Sequence, residues 1–203
     1  MGGFVGRDQT AHGEVLLAHR LRKQYAAALN VAVFENRRGS EARRKVLELL
    51  DTDGDGTLSA GEKSAAHIAI YGHSWGASET VTLARALERD GIPVMLTVQV
   101  DSVRKLGEND AWIPANVAQA VNFFQPEGIV RGRSEIRASD PAHTRILGNF
   151  QIDYRAKPVS CAGYPWYARA FMRPHIEIES DPAVWSRVED LIRARLSLLP
   201  AAK

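Results

Sequence analysis

A single cysteine, Cys161, stands among 203 residues, so no internal disulfide can form, and no second thiol or nearby His pair completes a zinc site. It reads as a neutral packing residue. No run approaches the roughly 18 apolar residues that cross a bilayer, and the opening MGGFVGRDQT lacks the basic and apolar regions of a signal peptide. The chain as written is therefore expected to be soluble and cytoplasmic, or exported if its true start lies upstream. An excess of one charge is missing too. The 26 Lys and Arg face 24 Asp and Glu, and nowhere do the basic residues gather into the stripe that nucleic acid requires. With 45% hydrophobic and 25% charged residues, the composition is that of one ordinary globular domain over residues 1–203. A domain this long buries about 70% of its unfolded surface and needs no metal or disulfide for its core.

What is present is an alternation of short apolar runs and amphipathic stretches. A glycine-dense opening, Gly2, Gly3 and Gly6, leads into a helical pattern of Leu17, Leu21 and Tyr25. Residues 30–35 (NVAVFE) read as a strand and residues 40–50 as a helix with Val46, Leu47, Leu49 and Leu50 on its apolar side. Residues 67–71 (HIAIY) form the next strand. A helix over residues 76–90 follows, stopped by Gly91 and Pro93, and then a strand over residues 94–100 (VMLTVQV). Strands that are apolar almost throughout, separated by helices, predict a mostly parallel sheet in an α/β fold of three layers, covered by helices on both faces. Residues 114–124 read as a helix. From about 126 to 173, Gly, Pro and Arg interrupt every pattern, which suggests an irregular, cap-like region. Asp181 and Pro182 then open a closing helix whose buried stripe is Val184, Val188, Leu191 and Ile192.

Between the strand at 67–71 and the helix at 76–90 lies Gly72-His73-Ser74-Trp75-Gly76, a G-x-S-x-G in a strand-turn-helix setting. The tight turn requires small neighbours, lifts the serine hydroxyl above the sheet edge, and puts the Trp75 N–H at a helix start, where it can meet a developing oxyanion. On these residues the chain resembles the α/β-hydrolase superfamily, its lipase-like and thioesterase-like esterases in particular. The bland reading is that the glycines only permit close packing and Ser74 only caps a helix.

A serine needs a base and an orienting acid to become nucleophilic. Of the six histidines, the resemblance favours His175, which follows the serine near the end of the fold, just before the closing helix. Asp101, at the carboxyl end of the strand over 94–100, is the candidate acid. Many members of the superfamily carry the acid one strand later, so Asp110, Asp140 and Asp153 remain rivals. The resemblance also implies a second oxyanion donor in the glycine-rich opening, for which Phe4 is the candidate, although the familiar histidine before the glycines is absent. The strand that normally delivers that loop would precede residue 1. Either the sheet lacks it or the chain is a shortened version of a longer protein.

Residues 51–62 (DTDGDGTLSAGE) match the EF-hand calcium loop at each liganding position: Asp51, Asp53, Asp55, Thr57, Ser59 and Glu62, with Gly56 at the sharp turn. A solvated Asp/Gly turn would not require Leu58 or Glu62. Lys63 takes a place that is usually apolar, the exiting helix has room for about one turn, and no second hand exists to pair with, so a structural calcium site is expected rather than a switch. No organic cofactor is expected.

Together these residues predict a serine hydrolase that cleaves a small-molecule ester or thioester through an acyl-enzyme on Ser74. An acyltransferase with the same residues is one alternative. The other is a non-catalytic, calcium-dependent binding protein on a hydrolase scaffold. Trp112, Tyr164, Trp166, Tyr167 and Phe171 could line an apolar pocket or simply pack in the core.

Overall fold

The computed structural model describes residues 12–26 and 28–196. Helices α1 (Gly13–Gln24), α2 (Gly39–Leu50) and the short α3 (Ala60–Ser64) precede strand β1 (Ala69–His73), helix α4 (Trp75–Arg89) and strand β2 (Val94–Val100). Strands β3 (Trp112–Ile113), β4 (Val117–Phe124), β5 (Arg137–Ala138) and β6 (Arg145–Gln151) follow, and helices α5 (Trp166–Ser180) and α6 (Pro182–Leu196) close the described chain. The main sheet has four strands in the order β1-β2-β4-β6, all parallel, while β3 and β5 form a small parallel pair beside it.

Helices cover both faces, as the unbroken apolar strands require. Leu17 and Leu21 of α1, Ile178 of α5 and Val184, Val188 and Ile192 of α6 pack with Leu96, Val98, Val121 and Phe123. A separate cluster joins Val81, Ala84 and Leu87 of α4 and Ala42 of α2 to Val94, Val117 and Ala120. Each such fully buried Leu or Val contributes about 1.5–3 kcal/mol relative to exposure. No helix among the described residues is long and apolar enough to cross a membrane.

Three expectations fail. Residues 114–124 are not a helix: VAQAVNFF is β4, buried at Ala120 through Phe124 between β2 and β6. A short apolar run has no periodicity to separate a buried strand from a buried helix, and here the β-branched and aromatic residues decide. Residues 30–35 carry no strand; with α2 and β1 they line a cavity of about 450 Å3. The irregular region over 126–173 contributes β6 to the main sheet, with a bulge opposite Ala120 and Val121 and Gly148 inside it obscuring the pattern. The edge of β1 away from β2 bears no strand among the described residues, and the glycine-rich opening expected beside it lies outside them.

Candidate active site and calcium loop

The turn after β1 gives Ser74 φ 57° and ψ −125°, a conformation that costs an L-residue energy and survives only where its surroundings impose it. They do so here through the Ser74 N–H bond to Val100 O (3.0 Å) and through the Ser74 carbonyl, which accepts from Ala77 N–H (3.0 Å) and Val103 N–H (3.2 Å). Glycine at 72 is a steric necessity, since a Cβ there would lie 2.4 Å from Gly76 O. The Trp75 N–H heads α4, so the positive end of the helix dipole meets the Ser74 side chain.

Asp101 follows β2 and is fully buried. Because β1 and β2 pair in register at His73 and Val100, Ser74 and Asp101 are the next residues out on neighbouring strands. The Asp101 carboxylate accepts from Gln125 N–H (3.0 Å) and Gln125 Nε2 (2.9 Å), and its second oxygen also accepts from His175 Nδ1–H (2.6 Å). Gly132 lies against it, where a Cβ would fall 2.0 Å from Oδ1.

His175 is not on a loop before the closing helix. It lies within α5, just past a break at Met172 (φ −128°, ψ 21°) and next to Pro174, whose ring and missing N–H prevent one continuous helix. With Nδ1–H given to Asp101, Nε2 is the bare nitrogen, and the Ser74 hydroxyl donates to it at 2.9 Å. The result is a buried series, Asp101 to His175 to Ser74, with the geometry to remove a proton from the serine and hold the resulting imidazolium. The rival acids are engaged elsewhere. Asp110 binds Arg133 (2.5 Å) and Ser102 (2.5 Å), Asp140 binds His143 (2.7 Å), and Asp153 accepts from Arg155 N–H (2.9 Å). Phe4 lies outside the described residues.

Sequence reasoning missed Gln125 and Gly132, which no motif marks, and the place of His73, whose ring lies 4.5 Å from that of His175. Of the five aromatic residues, Tyr164 packs against the buried cluster of Cys161, Ala168 and Ile176, while Trp112, Trp166, Tyr167 and Phe171 are exposed.

In the acidic loop, Gly56 takes φ 81°, Asp51 accepts from Gly54 N–H (2.9 Å) and Gly56 N–H (3.0 Å), and Asp55 accepts from Thr57 N–H (2.7 Å). Glu62 closes a capping box with Ser59 at the start of α3 and also accepts from Thr52 N–H (2.6 Å); the Ser59 and Thr52 donors hold its carboxyl at about 2. Ligand oxygens of Asp51, Asp53 and Glu62 lie within 4.8 Å of one another. These three carboxylates are hard oxygen donors that could hold a cation; Asp55 is not within that group, and the five-residue α3 is the single exiting turn that the sequence allowed. No protein-family model, curated protein or solved structure matches the chain.

Proposed function

We propose that this chain is a serine hydrolase of the α/β-hydrolase type that cleaves an ester or thioester through an acyl-enzyme on Ser74. The observation that carries this reading is the continuous hydrogen-bonded series from Asp101 through His175 to Ser74, drawn from the ends of β1 and β2 and from α5. The parallel sheet with the serine at a strained strand-to-helix turn supports the fold assignment.

In the proposed reaction His175 Nε2 takes the Ser74 proton as Oγ attacks the acyl carbon. Asp101 keeps Nδ1–H in place and balances the imidazolium charge. The carbonyl oxygen becomes an oxyanion beside the Trp75 N–H, with Phe4 as the second donor that the family resemblance implies. Collapse of the tetrahedral intermediate breaks the bond to the alcohol or thiol, which leaves with the proton from His175. Water then repeats the sequence on the acyl-enzyme and frees the acid. Calcium held by Asp51, Asp53, Asp55, Thr57, Ser59 and Glu62 would brace the approach to β1 and take no part in these steps. Labelling by a fluorophosphonate serine probe tests the reading, and Ser74→Ala should remove it.

A further inference from the structure

A second buried polar group lies beside the histidine. The His73 ring stands 4.5 Å from the His175 ring at a tilt of 34°, is 2% exposed, and has no hydrogen-bond partner at either nitrogen. Its Nδ1 is 3.5 Å from Glu179 Oε1. Glu179 lies one helical turn beyond His175 on α5, hence on the same face of that helix. From α1, His12 Nδ1 bonds the same Glu179 oxygen, and the Tyr164 hydroxyl sits 3.2 Å from His12 Nδ1. Glu14, also on α1 and buried, brings a carboxylate oxygen within 4.8 Å of the His12 and Glu179 ligand atoms. Three helices meet here: Trp185 Nε1 of α6 donates to Glu179 O of α5 (2.6 Å), and a Cβ on Gly13 of α1 would lie 2.4 Å from that oxygen.

A buried carboxylate persists only if its neighbours favour its charge. Burial pushes the Glu179 carboxyl up, but the charge His73 carries only at acid pH, the bond and charge of His12 and the Tyr164 hydroxyl outweigh it and hold the group at about 2. Burial and the Glu179 charge raise Glu14, so of the two carboxyls Glu179 is the one that stays ionised. Burial lowers His12, and its bond to Glu179 more than offsets that. Burial drives His73 down to about 4, so a neutral ring lies between Glu179 and His175. The groups that face His175 are then Asp101 from β2, Ser74 and neutral His73 from the turn, and, across His73, the Glu179 carboxylate with His12 and Glu14 from α1 behind it.

We propose that Glu179, held by His12 and acting across the His73 ring, is a positioning residue that favours the imidazolium form of His175 while Ser74 is acylated. The inference rests on the serine-hydrolase reading. The base must become a cation as it takes the serine proton, and Asp101 offsets that charge on one side only. Glu179 supplies negative charge from a second direction, and the neutral ring excludes water that would screen it.

The experiment is the rate of Ser74 labelling by a fluorophosphonate between pH 4.5 and 9, in native protein, Glu179→Gln and Glu179→Asp, with folding checked by thermal melts. The acid limb of the native profile should move to lower pH by about one unit in Glu179→Gln, the shift expected on losing an opposite charge nearby. The plateau should fall about tenfold, and Glu179→Asp should restore the native limb. If Glu179→Gln melts too low, His12→Gln removes the balancing cation instead and should move the limb to higher pH, and a native limb in that variant overturns the inference. A folded Glu179→Gln with a native limb, or an equal plateau loss in both variants without a shift, overturns the inference alone. Absence of labelling in native protein overturns the hydrolase reading and this inference with it.

Discussion

Ser74 and Asp101 stand side by side beyond the ends of two neighbouring parallel strands, and they are the two non-glycine residues with positive φ among the described residues, at 57° and 47°. Each backbone pays about 1–2 kcal/mol for that conformation, and each thereby turns its side chain toward His175. Strain located at the two residues that bond one imidazole is hard to explain by packing alone. Ser74→Gly is therefore expected to stabilise the fold by about 1 kcal/mol, read as a higher melting temperature, while abolishing serine labelling.

Close approach at two glycines supplies a second prediction. Gly72→Ala would drive a Cβ into the Gly76 backbone, and destabilisation of about 2–3 kcal/mol is expected in urea unfolding. Gly132→Ala instead presses on the Asp101 carboxylate. It should slow serine labelling at least about tenfold, because an acid moved off His175 no longer orients the ring. Native labelling rates in folded Gly132→Ala would contradict this.

His73 governs an acid-dependent loss of stability. Its folded value of about 4 lies below the ordinary histidine value of 6.5, so between those limits the unfolded chain binds the extra proton. The His73 contribution is intact above about pH 6.5 and is lost as pH falls toward 4, by up to about 3 kcal/mol. Chemical denaturation across that window should show a steeper decline for native protein than for His73→Leu. Parallel curves would contradict the assignment.

Calcium should stabilise the folded chain, because the oxygens of Asp51, Asp53 and Glu62 converge only when it is folded. At free calcium a hundred times its dissociation constant the gain is about 2.7 kcal/mol, and a chain of this length should melt about 5–10 °C higher than in EDTA. Asp51→Ala and Glu62→Gln should each erase the difference. With only five residues in α3, binding should leave far-UV circular dichroism nearly unchanged. Identical melts with and without calcium, and no heat on titration, would remove the calcium site.

The serine turn was legible because its chemistry is local: Gly72 must be glycine, because a Cβ there would meet the Gly76 backbone, and Ser74 puts a hydroxyl at the apex where the strand turns into a helix. The acidic loop was legible as a compact turn for the same reason, with its carboxylates inside twelve residues. Asp101 could be read from the strand it ends. His175 was found by chain order, yet its place on a helix was not, since the break at Met172 and Pro174 hides the helical pattern on either side. β4 was misread because a strand enclosed between two others has no polar face to set its period. Gln125, Gly132 and the His12, His73 and Glu179 group were invisible, because each acts through a partner distant in sequence. His12 and Glu179, for example, are 167 residues apart.

The most direct test of the central claim is fluorophosphonate labelling of the purified chain followed by peptide mapping. The account predicts one modified residue, Ser74, with labelling lost in Ser74→Ala and slowed at least about a thousandfold in His175→Ala, since the hydroxyl cannot react without its base. Adding His175→Ala to Ser74→Ala should change nothing further. A native chain that folds but takes no label at Ser74, or one that labels as fast without His175 as with it, would contradict the account.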